Sequence, residues 1–360
     1  MTARTALVIG AGVIGASVAQ ALARRGVAAT VIDRAMPGSG ASAATFGWIN
    51  ASFAETADYF CLRAAAVEEY ARLSRDMGAA LPLCPGGSLW WEEEGKAFDD
   101  HMAEMLAFGA DVRAVGPAEF AQLAPAVATP PARALYTPAE AAIDGVALTQ
   151  ALLDRAVGAG ANLLIGPTVR ALTHEGGTVT GVDTDFGRFV ADQVILATGA
   201  ATPALLSPLG INLPVHTKPG LILHTRAVPP CLRPLILSPD IHVRQGAQGH
   251  LIAGEIFSGD GPGQHQITTA PQSLAHDLLL RIGRLLGRDD LRIDRVMLGA
   301  RPVPGDGFPA IGACGPQGLF VAVMHSGVTL GPLVGRLLAD EVDGGDLSPL
   351  LAAYRPTRFG

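Results

Sequence analysis

The stretch ALVIGAGVIGASVAQALARRG, residues 6–26, decides the fold because it predicts a strand, a glycine turn and a helix in immediate succession. Ala6 to Ile9 is a continuous apolar run typical of a buried parallel strand, and a helical pattern ends at Gly26. A second strand, Ala28 to Ile32, follows and ends in Asp33. The pattern Gly-x-Gly-x-x-Gly in this setting indicates dinucleotide binding.

Each glycine of this turn has a distinct physical task. Gly10 permits the tight turn, Gly12 lets a pyrophosphate approach the backbone, and Gly15 lets the helix pack against the strand. The helix N-terminus offers free N–H groups and the positive end of a dipole to phosphates. Asp33 is expected to accept hydrogen bonds from an adenosine ribose. These residues alone do not separate NAD from FAD.

A second strand–glycine–helix junction occurs near the other end, in LFVAVMHSGVTLGPLVGRLLADEV, residues 319–342. Its helix N-terminus, after His325 and Ser326, suits the negative charge that a reduced flavin carries near N1 and O2. NAD has no such group at its far end. We therefore predict that the two junctions converge on opposite ends of one FAD molecule.

Two further stretches favour FAD. Residues 37–47, PGSGASAATFG, are too small and polar for a strand, and they predict a loop leading into a short helix capped by Ser39 or Ser42. Residues 193–200, QVILATGA, predict a buried strand whose Gly199 lets the backbone pass close to a cofactor. A flexible surface loop is the alternative for residues 37–47.

Composition excludes several classes of protein. The 360 residues are 49% hydrophobic and 16% charged, which is typical of a chain that folds around a large core. The net charge of -7 argues against nucleic-acid binding. The four cysteines form no Cys-x-x-Cys pair, so no metal site is predicted. No long apolar segment indicates a membrane span, and a cytoplasmic location is expected.

The motifs VIGAGVIGASVAQALARRG, SGASAATFG, ILATGA, RPVPGDGFPAIG and HSGVTLGP occur in the order found in one family. Through them the chain resembles the FAD-dependent D-amino-acid oxidase, glycine oxidase and sarcosine oxidase superfamily over essentially its whole length. The resemblance implies an α/β fold in which a Rossmann-type FAD-binding domain is interleaved with an α+β substrate domain built on an antiparallel sheet. The FAD domain would comprise residues 1–80, 145–212 and 300–360, and the substrate domain residues 81–144 and 213–299.

The resemblance also implies site residues. Arg301 would clamp the substrate carboxylate, as a planar guanidinium suits this task. His325 and His242 are the other candidates for catalysis, although several relatives have a tyrosine where His242 stands. Expected flavin contacts are Gly10, Gly12, Val13, Ile14, Gly15, Asp33, Arg34, Ser39, Ser42, Ala43, Thr45, Val169, Thr198, Gly199, Arg301, His325, Ser326, Gly327, Val328 and Thr329. The FAD is expected to be non-covalent, because Gly299 stands near the position of the attachment cysteine and residues 37–50 contain no histidine.

These observations predict an FAD-dependent oxidoreductase that oxidises the C–N bond of an amino acid or N-substituted amino acid. Hydride would pass to flavin N5, and the imine would hydrolyse. Oxygen or a quinone would reoxidise the flavin, and a homo-oligomer is left open. The alternatives are a 2-hydroxy-acid oxidoreductase of the same fold, in which a histidine base becomes useful, and an FAD-carrying subunit of a larger dehydrogenase complex.

Overall fold

Strands and helices alternate along the chain, and the computed structural model describes them in residues 4–255 and 271–360. The strands are β1 (Thr5–Ile9), β2 (Ala28–Asp33), β3 (Trp48–Ile49), β4 (Leu83–Pro85), β5 (Ser88–Trp90), β6 (Arg113–Val115), β7 (Ala134–Thr137), β8 (Ala141–Ile143), β9 (Asn162–Ile165), β10 (Val169–Glu175), β11 (Thr178–Thr184), β12 (Gly187–Val190), β13 (Gln193–Leu196), β14 (Val215–Ala227), β15 (Leu235–Leu237), β16 (His242–Gln245), β17 (His250–Glu255), β18 (Ile293–Pro304), β19 (Ala310–Ala313) and β20 (Leu319–Val323). The α-helices are α1 (Val13–Ala23), α2 (Ala57–Met77), α3 (Gly95–Ala107), α4 (Pro117–Leu123), α5 (Gly145–Gly158), α6 (Thr202–Leu206), α7 (Pro271–Leu286) and α8 (Gly327–Val342).

The chain divides into two units, each assembled from separate segments. The first unit contains Met1–Ala43, Gly145–Lys218 and Ala300–Gly360, and the second contains Ala44–Asp144 and Pro219–Gly299. The sequence-based boundaries differ at residues 44–80, which lie in the second unit, and at 213–218, which lie in the first. Residues 44–80 belong to the second unit because β3 pairs there with β8.

A six-stranded sheet organises the first unit, in the order β19-β20-β13-β1-β2-β9. Its pairs are parallel, apart from the antiparallel pair β19 and β20. The inner strands are mainly apolar, as expected for a sheet covered by helices, and α1 packs against both α5 and α8. A small antiparallel sheet of β10, β11 and β12 completes this Rossmann-type unit.

An eight-stranded sheet organises the second unit, in the order β18-β14-β17-β16-β15-β5-β7-β6. The pairs from β14 to β15 and from β5 to β6 are antiparallel, whereas β15 and β5 are parallel. Its core contains Leu89, Phe120, Val243 and Ile282. Strands β16 and β17 form a hairpin, because they pair antiparallel across a turn at Gly246–Gly249. The α+β character expected for this unit is therefore correct.

A helix that spans a bilayer is long and predominantly apolar. Within residues 4–255 and 271–360, none is long and apolar enough to span a membrane.

Candidate active site

The first glycine turn is closed by backbone contacts that leave no room for side chains. Gly10 has φ of +107°, its N–H donates to the Ile32 carbonyl at 2.8 Å, and a Cβ atom built on it would lie 2.5 Å from the Ala197 oxygen. A Cβ on Gly15 would lie only 1.8 Å from the Gly10 oxygen. Both positions therefore require glycine, and the packing role predicted for Gly15 is explained.

The N-terminus of α1 presents backbone N–H groups as predicted. Gly12 is the N-cap of α1, and a glycine has no side chain that could cap the helix. The first turn of α1 contains no acidic residue. The Val13 N–H donates to Ser42 Oγ at 3.0 Å, and a Cβ on Gly12 would lie 3.3 Å from that oxygen. The first helical N–H groups have no intrahelical acceptor, so this end favours an anion.

Asp33 lies at the carboxyl end of β2, where its carboxylate fixes the same turn. Its Oδ2 accepts from the Ala11 N–H at 2.7 Å, and its Oδ1 accepts from the Ala35 N–H at 2.9 Å. A carboxylate has about four acceptor sites, so it can also accept from a ribose hydroxyl. The neighbouring Arg34 is exposed.

The short helix predicted within residues 37–47 is wrong. Residues 37–43 form successive turns, with the Ser39 N–H donating to the Met36 carbonyl and the Ala43 N–H to the Gly40 carbonyl. Ser42 is buried and contacts the first residue of α1, Val13, whereas Ser39 is exposed. Glycines and a proline in this stretch disfavour helix propagation, which explains the turns.

Four other predicted flavin contacts, Thr45, Thr198, Gly199 and Val169, lie in or near the connections between strands. Thr45 Oγ1, in the second unit, accepts from the Gly47 N–H at 3.1 Å. Thr198 shares a hydrogen bond of 2.8 Å with Thr202, and Gly199 has φ of +55°. Val169 is half-buried at the start of β10.

The second junction lies against the first, as the predicted convergence requires, and the binding of one FAD molecule by both stays a prediction. A Cβ on Gly327 would lie 3.3 Å from Ile14 Cδ1, and one on Gly335 would lie 2.5 Å from the Ser17 carbonyl carbon. The small residues of α8 thus let it approach α1 closely. Since β1 and β20 are parallel to the β13 strand between them, both helix N-termini lie at the same edge of the sheet.

The residues before α8 adopt a constrained conformation. Ser326 is a non-glycine residue with φ of +57°, and its hydroxyl lies 3.1 Å from His325 Nδ1. Both side chains are half-buried, whereas Val328 and Thr329 are buried in the first turn of α8. A left-handed serine costs about 1 kcal/mol or more, and such strain is typical of functional sites.

Arg301 is half-buried on β18, and burial lowers the pKa of its guanidinium from the usual value. The following residue, Pro302, lies 3.6 Å from where a Cβ of Gly199 would be. Arg301 therefore precedes a proline that packs against Gly199, which follows β13. Asp306 accepts from Arg358 Nε at 2.7 Å and from the Phe308 N–H at 3.1 Å, so it holds a turn.

His242 lies on β16 of the second unit and is paired rather than exposed. Its Nε2 lies 2.7 Å from Glu92 Oε1, and Glu92 Oε2 accepts from Trp90 Nε1 at 2.7 Å. Burial raises the pKa of Glu92, but the hydrogen bonds from His242 and Trp90 outweigh it, so the net pKa is lowered. Sequence reasoning missed Glu92, because 150 residues separate the partners.

Buried charged side chains hold the segment Phe46–Phe53 of the second unit. Arg244 donates to the Phe46 and Ile143 carbonyls, and burial lowers its pKa to about 10. Arg63 donates to Asn50 Oδ1. These residues carry no sequence motif, and the sequence gives no signal that joins them.

Glu140 is the central acceptor for this segment and is 2% exposed. Its oxygens accept from the indole of Trp48, from the N–H groups of Ala51 and Ser52, and from the hydroxyls of Ser52 and Ser88. Burial raises the pKa of Glu140, and the hydrogen bonds from Ser52 and Ser88 oppose that rise. Because every partner is a donor, this site requires a group that only accepts, which a carboxylate is.

Between residues 4 and 255 and between 271 and 360, no group of three or more His, Cys, Asp or Glu side chains is arranged to hold a metal ion.

Comparison with known proteins identifies the family. The chain is 29% identical to the uncharacterized oxidoreductase YurR of Bacillus subtilis over 97% of this chain and 98% of that protein. Glycine oxidase from Geobacillus kaustophilus superposes with a TM-score of 0.87 at 25% identity, covering 99% of both chains. Iminodiacetate oxidase from a Chelativorans species gives a TM-score of 0.85 at 26% identity over 98% of both. The model of the DAO family, FAD dependent oxidoreductase, matches residues 5–341, and the chain therefore belongs to this family.

Proposed function

We propose that the protein oxidises the C–N bond of an amino acid or an N-substituted amino acid. The observation that carries this proposal is the convergence of two helix N-termini in the first unit, with Arg301 next in the chain to Pro302, which packs on Gly199. Glycine oxidase and iminodiacetate oxidase, whose names give amino-carboxylate substrates, share the fold over nearly the whole chain. Together these features support a flavin enzyme for such a substrate.

The residues of the first unit fit an FAD molecule. The α1 N-terminus would hold the pyrophosphate through the N–H groups after Gly12, and Asp33 would accept from the adenosine ribose. The N-terminus of α8 would face the flavin ring, with Gly327 and Val328 donating N–H groups. When bound, the flavin supplies the hydride acceptor, and the protein supplies orientation and electrostatics.

The FAD is proposed to be held without a covalent bond. A Cβ atom on Gly299 would lie 2.6 Å from the Ala44 Cβ, so a cysteine does not fit there without a backbone shift. This contact gives a physical reason for the glycine at that position. The flavin should therefore appear in the supernatant after the protein is precipitated with acid.

Arg301 is proposed to bind the substrate carboxylate. Its planar guanidinium can donate two parallel hydrogen bonds, and its half-buried position strengthens them. This clamp would orient Cα–H for transfer. We also assign the flavin to the first unit and most substrate contacts to the second.

The test is the visible spectrum of the purified protein, recorded without oxygen before and after adding single amino acids and N-substituted amino acids. Bleaching of the flavin band by a member of this panel supports the proposal. Arg301→Lys keeps the positive charge but loses the two parallel N–H donors of the guanidinium. It should raise the KM for the amino-acid substrate roughly 10- to 100-fold. A protein that no amino acid bleaches contradicts the proposal.

A second candidate is the oxidation of a 2-hydroxy acid, and the pairing of His242 with Glu92 favours it. An imidazole held by a carboxylate is suited to remove a hydroxyl proton. The same spectrum recorded with 2-hydroxy acids separates the candidates, since bleaching by hydroxy acids alone would select this one. Oxygen uptake on the same samples then distinguishes oxygen from a quinone as the acceptor.

A further inference from the structure

A cavity of about 310 Å³ lies beside the C-terminal half of α7, and we call it the α7 cavity. It is lined by Trp91, which follows β5, by Asp240 in the turn between β15 and β16, and by Arg281, Arg284 and Leu285 of α7. All of these residues belong to the second unit. Sites for small molecules occupy about 300 to 1,000 Å³, so the α7 cavity is large enough for a small organic ligand.

One part of the α7 cavity is apolar and well ordered. Trp91 and Leu285 both pack against the core of the second unit. The Trp91 ring meets the buried Phe120 ring edge to face, with the ring centroids 5.0 Å apart, and this contact fixes the plane of the indole. The indole N–H has no acceptor in the part of the chain that the structure describes. The cavity therefore offers an aromatic surface to an apolar side chain of a ligand.

The two arginines of the α7 cavity lie one helical turn apart and differ in their partners. Arg281 pairs with Asp277, and its guanidinium donates to the Asp240 carbonyl at 3.3 Å. Arg284 is exposed, and its guanidinium has no hydrogen bond or ion pair with any described residue. The positive charge left for a ligand is therefore that of Arg284, and a planar guanidinium suits a carboxylate.

Asp240 supplies a negative charge to the same cavity. Its turn is closed by Ser238, whose Oγ accepts from the Ile241 N–H at 3.1 Å. The Asp240 side chain is exposed, and none of the residues in the described ranges bonds to its carboxylate. Since its main-chain carbonyl accepts from Arg281, the turn is held against α7 one helical turn from Arg284. One unpaired cation and one unpaired anion thus line the cavity together.

We propose that the α7 cavity binds a zwitterionic amino acid with an apolar or aromatic side chain. The ligand carboxylate pairs with Arg284, its ammonium group pairs with Asp240, and its side chain lies on Trp91 and Leu285. An organic anion without an ammonium group would be repelled by Asp240, and an amine without a carboxylate would be repelled by Arg284. This inference does not rest on the proposed oxidation, because binding in the α7 cavity changes no bond.

The test titrates the FAD-loaded protein, carrying isotope-labelled tryptophan, with phenylalanine of either enantiomer. The chain has three tryptophans, so its indole N–H groups give three signals in nitrogen–proton NMR. The Trp91 signal is identified by its loss in Trp91→Phe, and it should shift as phenylalanine is added. Oxygen is excluded, so each flavin is reduced at most once and the excess amino acid is not consumed. We expect a Kd on the order of 1 mM, because exposed ion pairs contribute little free energy.

Two variants test the charges separately. Arg284→Gln should weaken phenylalanine binding at the Trp91 signal about tenfold, since it removes one charge-assisted pair. Asp240→Asn should also weaken phenylalanine, but it should strengthen the binding of phenylpropanoate, which is the same molecule without the ammonium group. The matched control is Arg226→Gln, which removes an exposed guanidinium of the second unit that does not line the cavity. It should keep the wild-type affinity.

A Trp91 signal that does not move with up to about 10 mM phenylalanine would overturn the proposal. So would a wild-type protein that binds phenylpropanoate as tightly as phenylalanine, or an Arg226→Gln variant that loses as much affinity as Arg284→Gln. The visible spectrum of the same samples reports the flavin separately. Bleaching by amino acids without a shift at Trp91 would leave the proposed function standing, and only this inference would fail.

Discussion

The first unit fixes its glycine turn with backbone contacts, whereas the second unit holds its segment Phe46–Phe53 with buried charged side chains. In the first unit the turn around Gly10 and Gly15 is shaped by backbone atoms, and the positions where a Cβ would collide are glycines. In the second unit the segment Phe46–Phe53 is held by the buried charged side chains of Arg63, Glu140 and Arg244. We call the turn around Gly10 and Gly15 the cradle, and Arg63, Glu140 and Arg244 the network. An added side-chain atom should destabilise the cradle, whereas the loss of a hydrogen-bond partner should destabilise the network.

The two units should therefore fail in opposite ways when they are changed. In the first unit, an added side chain would collide with backbone atoms and displace the turn. In the second unit, losing one charged side chain of the network would leave its buried hydrogen-bond partners unsatisfied.

The largest effect is expected for Gly15→Ala. Its Cβ would lie 1.8 Å from the Gly10 oxygen, so the turn must move, and we expect a loss of more than roughly 3 kcal/mol in the free energy of unfolding. Gly12→Ala meets only Ser42 Oγ at 3.3 Å, so it should change stability by less than about 1 kcal/mol yet weaken FAD binding at least tenfold. Urea unfolding and flavin titration measure the two quantities.

Gly158→Ala is the control for this comparison, because nothing lies within 4 Å of its built Cβ. It should leave FAD binding unchanged and should not destabilise the protein. Equal stability of the Gly15 and Gly158 variants would contradict the cradle described here.

The next effect in size is expected for Glu140→Ala in the second unit. Removing the carboxylate leaves buried donors, including the Ser52 N–H and the Trp48 indole, without their acceptor. We expect a loss of roughly 3 to 5 kcal/mol by urea unfolding. Asp100→Ala breaks the exposed pair with Lys96 and should change stability by no more than about 0.5 kcal/mol. Similar losses in the two variants would show that burial of the charge is unimportant.

A smaller effect is expected from His224, which is 3% exposed. Burial, with the nearby Arg295 and Arg244, lowers its pKa from 6.5 to about 4. Between these values the unfolded chain binds the proton and the folded protein does not, so stability is present above pH 6.5 and falls as the pH drops towards 4. The loss from this group should be roughly 3 kcal/mol.

Urea unfolding at a series of pH values measures this loss. His224→Gln should flatten the curve in that window, whereas the exposed His174→Gln should keep the wild-type curve. An unchanged curve for His224→Gln would show that this imidazole is not held neutral.

The same difference between the units explains what could be predicted from sequence. The glycine turn and Asp33 lie within residues 10–33, and the second junction lies within residues 319–342, so local patterns were enough to predict the Rossmann-type unit and its second strand–glycine–helix junction. The short helix near Ser42 was predicted wrongly, because the glycines and the proline of this stretch favour turns over a helix. The partnership of His242 with Glu92, and that of Glu140 with Ser52, joins residues far apart in the chain, and no local pattern reveals them.

The claim that two helix N-termini of the first unit hold one flavin dinucleotide is tested most directly by the cofactor that the protein binds. The purified protein should be yellow, with one FAD released per chain on acid precipitation, and Gly12→Asp should be folded but colourless. A colourless wild-type protein that binds NAD in place of FAD would contradict the account.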